Sequence, residues 1–119
     1  MATIRGVLVK PYTRAKEFSF EYNNFMDLYP VLDCDTFDVA MRKFGDNFYD
    51  IYLDDNGLGT DKGIAIFTVS KTTHEILEML VGNCFICNHD DKGDIISLTD
   101  DEVKEVLNSN KGGIPYCEL

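Results

Sequence analysis

The spacing of apolar residues predicts a chain built mainly from short strands. Residues 17–22 alternate between polar and apolar types, which places Phe18, Phe20 and Tyr22 on one face of a strand. We expect this strand to pair with Ile4–Lys10, because two such runs separated by a short turn favour a β-hairpin.

A second hairpin is predicted in the middle of the chain. Its apolar faces consist of Phe37, Val39 and Met41 on one strand and of Tyr49, Ile51 and Leu53 on the other. Gly45–Asn47 supplies the turn between these strands, and Asn56-Gly57 supplies the turn after the second one. Further strands are expected at Gly63–Ser70 and at Cys84–Asn88, the latter in a hairpin with Ile95–Leu98.

Two segments between the strands carry helix signals. Asn24–Leu32 has apolar residues at helical spacing, although Pro30 limits the length of this helix. Thr72–Glu75 fits a capping box, and the apolar residues that follow it have helical spacing up to Gly82. We therefore predict a helix in each segment.

A third helix is predicted near the end of the sequence. Thr99–Glu102 is another capping box, and its acidic first turn complements the helix dipole. Val103, Val106 and Leu107 form the expected buried stripe, and Lys111-Gly112 is the expected end of the helix.

Together these elements predict an α+β fold, in which two or three short helices pack against a curved, mostly antiparallel β-sheet. The 119 residues suit a single domain, which we place at residues 1–119. The sequence has no apolar run of about 18 residues, so we expect no membrane span. The N-terminus lacks the apolar core of a signal peptide, which favours a cytoplasmic location.

The formal net charge is −10, and it is distributed unevenly. Residues 33–55 hold seven Asp against two basic residues, and residues 89–105 hold five Asp and two Glu against two Lys, a balance of −5 in each segment. Residues 1–22 have a balance of +2. Such acidity disfavours direct binding to nucleic acid and suits a partner with a basic surface, although acidic turns also serve simply to keep a protein soluble.

The C-x-x-C motif of Cys84 and Cys87 raises the question of a metal or redox centre. A redox motif places its first cysteine at a helix N-terminus, whereas these residues have the composition of a strand. In a strand, residues i and i+3 point to opposite faces, so the two sulfurs would not share a metal ion. A zinc site also needs two further ligands at a recognised spacing, and the sequence has none. We interpret both cysteines as core residues.

No other stretch fits a catalytic, metal or cofactor site. The run from Asp90 to Asp94 differs from a calcium loop, because Lys92 occupies the third position and Gly93 the fourth. We interpret it as a hairpin turn, with His89 exposed or half-buried beside it. The sequence also lacks a nucleophile elbow, a P-loop and a dinucleotide fingerprint, so we predict neither a catalytic residue nor a cofactor.

Several stretches in the central and C-terminal parts of the sequence are similar to those of a known family. They are Tyr49–Ile51, Asp54–Leu58, Leu80–Asn88, Asp91–Asp94 and Ser97–Asp101. In these stretches the sequence resembles the family catalogued as domain of unknown function 3846. The resemblance covers roughly residues 3–107, and the N-terminal third matches only in general pattern. The resemblance implies an accessory protein of phages, plasmids or other mobile elements in a bacterial cytoplasm. It implies no specific activity.

The leading functional hypothesis is a non-enzymatic protein that binds and inhibits a host protein, such as a defence or nucleic-acid-handling factor. The acidic segments on a small sheet scaffold motivate it, because a basic partner would be attracted to them. The carboxylates expected to face the partner belong to Asp50, Asp54, Asp55, Asp90, Asp91, Asp94, Asp100 and Asp101.

The alternative hypothesis is a sponge that sequesters a nucleotide second messenger in a pocket between the subunits of a homo-oligomer. Tyrosines would stack on the base, and basic side chains of the N-terminal segment would bind phosphate. The residues proposed for this site are Lys10, Tyr12, Arg14, Lys16 and Tyr22. An enzyme acting on such a signal is a third interpretation, and it would require His89 or His74 beside a carboxylate in a pocket.

Overall fold

The computed structural model describes residues 2–56 and 62–119. Within this part of the chain, the strands are β1 (Ala2–Val9), β2 (Lys16–Tyr22), β3 (Phe37–Phe44), β4 (Asn47–Asp54), β5 (Ile64–Val69), β6 (Ile76–Val81), β7 (Cys84–His89), β8 (Ile95–Ile96), β9 (Asn110–Lys111) and β10 (Ile114–Glu118). A 3-10 turn at Phe25–Asp27 leads into helix α1 (Leu28–Leu32), and helix α2 spans Asp100–Asn108. None of these helices is long and apolar enough to cross a membrane.

The strands form one large open sheet in the order β2-β1-β7-β4-β3-β10-β5-β6, and the predicted α+β class is confirmed. Short strand β8 pairs with β7, and β9 pairs with β10. Every pairing is antiparallel except that of β10 with β5. The predicted hairpins β1–β2 and β3–β4 are present, with Ile4 opposite Phe20 and Ala40 opposite Ile51. The predicted turn at Asn56-Gly57 extends into residues outside the described ranges.

Strand β7 lies inside the sheet and is buried on both of its faces. Cys84 and Ile86 point into one core, and Phe85 and Cys87 point into the other. The predicted strand is therefore confirmed, and the two sulfurs of the C-x-x-C motif do lie on opposite faces. All four of these residues have 0% exposure, so both faces of the sheet must be covered by other elements.

The two cores define two faces of the sheet. On the first, which we call the α1 face, helix α1 packs together with the aromatic side chains of β2. On the second, the α2 face, the cover consists of α2 and of residues from β5, β6 and β10. Burial of this apolar surface supplies the main stabilisation of the fold.

Gly6 of β1 allows the aromatic packing on the α1 face. A Cβ at this position would lie 2.6 Å from Cζ of Phe85 and 2.3 Å from the backbone oxygen of Ile86. Because glycine has no side chain, the Phe85 ring can lie across β1 and meet the edge of Phe20, with ring centroids 5.1 Å apart.

The helix predicted over Asn24–Leu32 is present in part, because Phe25–Asp27 form a 3-10 turn and α1 begins at Leu28. A capping box holds the start of the 3-10 turn. The Asn24 side chain accepts a hydrogen bond from Met26 N, and the Asp27 carboxylate accepts hydrogen bonds from the N–H groups of Asn23 and Asn24. Pro30 lies in the first turn of α1, where its missing N–H costs no helical hydrogen bond.

Helix α2 has the predicted capping box, in which Thr99 and Glu102 exchange hydrogen bonds. Val103 and Val106 are buried as expected, and Leu107 is partly buried against the same core. The predicted end at Lys111 is wrong, because the helix stops at Asn108 and residues 110–111 form strand β9.

The helix predicted between Glu75 and Gly82 is wrong, because this segment is strand β6. Five of its six residues are apolar, and so short an apolar run is compatible with the spacing of a helix and with that of a strand. The segment forms a strand because its pairing with β5 (Ile64–Val69) satisfies the backbone hydrogen-bonding groups between the two strands. The polar residues before it form a tight turn, in which Ser70 O accepts a hydrogen bond from His74 N.

Strand β10 was not predicted from the sequence. Gly112 and Gly113 both have positive φ, and they turn the chain out of β9 into Ile114–Glu118. Cys117 then enters the core of the α2 face, and Glu118 pairs with Lys43 of β3. Among the described residues, this is the only strand pairing that joins β10, β5 and β6 to the other strands of the sheet.

Candidate functional site

The carboxylates that follow β4 and those that follow β7 lie at opposite ends of these two strands. Strands β4 and β7 are antiparallel, with Leu53 opposite Cys84 and Asp50 opposite Cys87. Asp54 and Asp55 therefore follow β4 beside the start of β7, whereas the Asp90–Asp94 turn follows the other end of β7. The eight carboxylates predicted to face a partner consequently do not form one surface.

Two of the eight carboxylates are buried, which corrects their assignment to an exposed acidic surface. Asp50 and Asp54 are each only 6% exposed. Asp50 lies on the α1 face of β4, and Asp54 lies at the end of this strand. The alternation of polar and apolar residues in β4 predicts that this face is open to solvent. Because the α1 face is also covered, both groups need partners within the protein.

Asp54 is held by Lys62, whose Nζ donates to Oδ2 at 2.8 Å and also to the backbone oxygen of Asp33. The backbone N–H of Asn56 donates to the other carboxylate oxygen at 2.9 Å. Burial alone would raise the pKa of Asp54, but these hydrogen bonds keep it below its ordinary value. Asp54 thus ties the end of β4 to the start of the next described segment.

Two further predicted residues are occupied by contacts within the chain. Asp90 accepts hydrogen bonds from the backbone N–H groups of Lys92 and Asp94, so it closes its own turn. Asp100 pairs with Arg5 at 2.5 Å, and Glu17 binds the same guanidinium. The four predicted carboxylates that remain exposed without such a partner in the described ranges belong to Asp55, Asp91, Asp94 and Asp101.

A group of exposed carboxylates lies in the segment after α1, at the start of β3 and directly after β4. It consists of Asp33, Asp35, Asp38 and Asp55, and we call it the acidic end. None of the four forms an ion pair with a residue of the described ranges. Sequence reasoning counted the first three within the acidic segment but did not select them, because charge density along a chain does not show which carboxylates meet in space.

Two clefts adjoin the acidic end. One has a volume of about 560 Å³ and is lined by Asp33, Asp35 and Asp54, with Lys62 as its cation. The other has a volume of about 400 Å³ and lies between β3–β4 and β6. Asp38 and Asp55 line the second cleft together with apolar side chains, so the carboxylates border surfaces that can hold a ligand.

The residues proposed for a nucleotide site are only partly brought together. Tyr12 and Arg14 line a cleft of about 470 Å³, which we call the Tyr12 cleft. Lys10 and Lys16 flank the turn between β1 and β2 but do not line the Tyr12 cleft. Tyr22 lies at the other end of the β1–β2 hairpin, opposite Ala2. Of the five residues proposed for the nucleotide site, only Tyr12 and Arg14 therefore share a cleft.

The Tyr12 cleft has an apolar wall and a charged rim. Phe67 and Ile114 contribute to the wall, while the Arg14 guanidinium lies against the backbone of Gly113. Tyr12 is 86% exposed and has a positive φ of 61°, an uncommon conformation for a residue other than glycine. Arg14 forms no ion pair within the described part of the chain.

His89 lies beside the carboxylate of Asp50, whereas the catalytic interpretation of the sequence required His89 or His74 beside an unspecified carboxylate in a pocket. His89 Nδ1 lies 2.6 Å from Asp50 Oδ2, and the imidazole is 41% exposed. The hydrogen bond from His89 to the buried carboxylate raises the pKa of the imidazole. An imidazole oriented in this way can accept a proton, but neither residue lines any of the clefts described here.

All four cysteines are free thiols. Burial raises the pKa of Cys84 to about 12 and also raises that of Cys87, so neither has the character of a reactive thiolate. In the part of the chain that the structure describes, no group of three His, Cys, Asp or Glu side chains could hold a metal ion. The interpretation of the C-x-x-C residues as core is confirmed.

The chain belongs to the family described as Domain of unknown function (DUF3846), whose family model matches residues 4–110. The resemblance inferred from the sequence is therefore confirmed. No curated protein and no solved structure matches the chain.

The Asp50–His89 pair predicts a measurable titration. The pKa of His89 should lie above the ordinary histidine value of about 6.5, and Asp50→Asn should lower it. Because the folded pKa is raised, the stabilisation by this pair is fully present below the unfolded pKa and declines as pH rises through the folded pKa. An NMR titration of the His89 ring protons measures both values, with His74 in the same spectra as a control for the substitution. An unchanged His89 titration in Asp50→Asn would contradict the hydrogen bond.

Proposed function

We propose that this protein is a non-enzymatic binding protein that inhibits a host protein with a basic surface. In this proposal it is an accessory protein of a phage or other mobile element, acts in the bacterial cytoplasm, and targets a defence or nucleic-acid-handling factor. The acidic end supplies the contact surface. The net charge of −10 disfavours direct binding to nucleic acid.

The observation that supports this proposal is the cluster of exposed carboxylates without ion-pair partners in the described ranges. Asp33, Asp35, Asp38 and Asp55 border two clefts, whereas Asp54 beside them is already neutralised by Lys62. Unpaired carboxylates close together raise the local negative potential, which attracts a basic surface and speeds its association. Carboxylates that protrude beside a basic groove can also take the places of phosphates, which suits inhibition of a nucleic-acid-handling factor.

The acidic end can be tested by a charge-matched pair of variants. The triple variant Asp35→Asn, Asp38→Asn and Asp55→Asn should weaken partner binding by about 3-fold to 100-fold, since each exposed ion pair contributes about 0.2–1 kcal/mol. The control, Asp91→Asn, Asp94→Asn and Asp101→Asn, removes the same charge elsewhere. Affinity capture from host lysate, quantified at low and high salt, measures the difference.

The proposal requires salt-sensitive capture by the native protein and by the control variant, with loss confined to the acidic-end variant. Equal capture by both variants would contradict the role of the acidic end. Capture that does not respond to salt would contradict the electrostatic mechanism altogether.

The Tyr12 cleft favours a second candidate function, the binding of a nucleotide signal. The supporting observation is Arg14, an arginine without an ion pair in the described ranges, beside an exposed tyrosine ring. Arginine binds phosphate through paired hydrogen bonds, and tyrosine stacks on bases. In this proposal the protein sequesters the signal without converting it.

A thermal-shift panel of cyclic nucleotides tests this second function. A ligand at about 100 times its Kd should stabilise the protein by about 2.7 kcal/mol, and Arg14→Gln should abolish that shift. Lys16→Gln is the matched control, since it removes the same charge outside the cleft. No shift with any nucleotide, or an equal shift in Arg14→Gln, would contradict this function.

A further inference from the structure

The cleft between β3–β4 and β6 has the form of a groove with an apolar floor. Ala40 of β3 and Leu53 of β4 line one side, and Leu80 of β6 lines the other. Arg42 of β3 and Glu78 of β6 join the two sides, with 2.7 Å between Arg42 Nε and Glu78 Oε1. We call this space the β6 groove.

The charges of the β6 groove are unevenly placed. Arg42 and Glu78 neutralise each other at one end. Asp38, which is opposite Leu53 in the β3–β4 register, and Asp55 lie toward the other end, where both are exposed. That end therefore carries two carboxylates without an ion pair in the described ranges. A ligand that fills the groove would be stabilised by a positive charge at this position.

Among the described strands, β6 pairs only with β5 and ends the sheet. Ile76, Leu77 and Met79 are exposed along it. The strand contains no Lys or Pro, and its one charged residue, Glu78, is paired with Arg42. The strand at the opposite end of the sheet, β2, instead carries Lys16, Glu17 and Glu21, which discourage pairing with another chain. An apolar edge without such protection favours strand addition.

Charge selects the occupant of this edge. A second copy of the chain carries the same net charge of −10, and this like charge opposes association. A basic extended segment of another protein has the complementary charge and the required backbone groups. Its Lys or Arg side chains would reach Asp38 and Asp55, and every second side chain would contact the floor at Ala40 and Leu53.

We propose that the β6 groove binds an extended, basic segment of a partner protein, which adds to the sheet as a strand beside β6. The six residues of β6 set the length of the contact, which is about 20 Å at about 3.3 Å per residue. The segment alternates apolar and polar residues and carries Lys or Arg at one end. This inference rests on the proposed function, and it specifies the part of the partner that the acidic end recognises.

A synthetic peptide of alternating Val and Lys tests the groove directly. Added to the isotope-labelled protein, it should shift the NMR signals of Ala40, Leu53 and residues 76–81 and slow amide exchange in β6. The same peptide with alternate backbone nitrogens methylated keeps its charge but cannot pair as a strand, so it should bind far more weakly. A peptide of alternating Val and Glu should not bind.

Variants of the protein separate charge from shape. Asp38→Asn with Asp55→Asn should weaken Val–Lys binding about 5-fold, since two exposed ion pairs are lost, whereas Asp91→Asn with Asp94→Asn should leave it unchanged. Ala40→Phe fills the floor and should abolish binding without changing charge. Equal binding of the methylated peptide, signal shifts confined to other surfaces, or a dimer of the free protein formed through β6 would each overturn the proposal.

Lysate capture with Ala40→Phe distinguishes this inference from the proposed function. Loss of the partner with both Ala40→Phe and the acidic-end variant supports the groove. Loss with the acidic-end variant alone would overturn the groove and leave the proposed function standing. If neither variant loses the partner, the proposed function itself is contradicted.

Discussion

The burial of β7 on both faces is the constraint on which the rest of this structure depends. Cys84–Cys87 place two side chains in each core, so neither face of the central sheet can remain open to water. Helix α1 and the aromatic residues of β2 cover one face. The other face needs α2 and also β5, β6 and β10, which join the central strands through the bridge between Lys43 and Glu118. The β6 groove lies where these strands face β3 and β4.

Local signals explain which parts of the fold could be predicted from the sequence. The alternation of Glu17–Tyr22 and the capping box at Thr99 each depend on residues within one turn or strand, and both are present. Strand β6 could not be told from a helix, because Ile76–Val81 is almost continuously apolar and its partner strand decides its form. Strand β10 depends on pairings with β3 and β5, which are distant in sequence.

The same limit applies to the candidate sites. The charge balance located both acidic segments but could not show that Asp50 and Asp54 are buried. Asp50 and Asp54 are buried because α1 and the aromatic residues of β2 cover the α1 face. The alternation of polar and apolar residues within β4 does not show that this face is covered. The Asp50–His89 contact joins residues 39 positions apart, so no spacing motif could indicate it. Tyr12 and Arg14 line one cleft because a short turn holds them close together, whereas Tyr22 lies at the far end of the hairpin.

An apolar edge strand beside carboxylates that have no ion pair in the described ranges links this fold to its proposed function. The account therefore depends on the outer edge of β6 being open in the free protein, and residue-resolved amide hydrogen exchange tests this directly. Amides of β7 should exchange slowest, and those of β6 that point away from β5 should exchange rapidly. Slow exchange throughout β6 in the monomeric protein would contradict the account, because the edge would then already be paired.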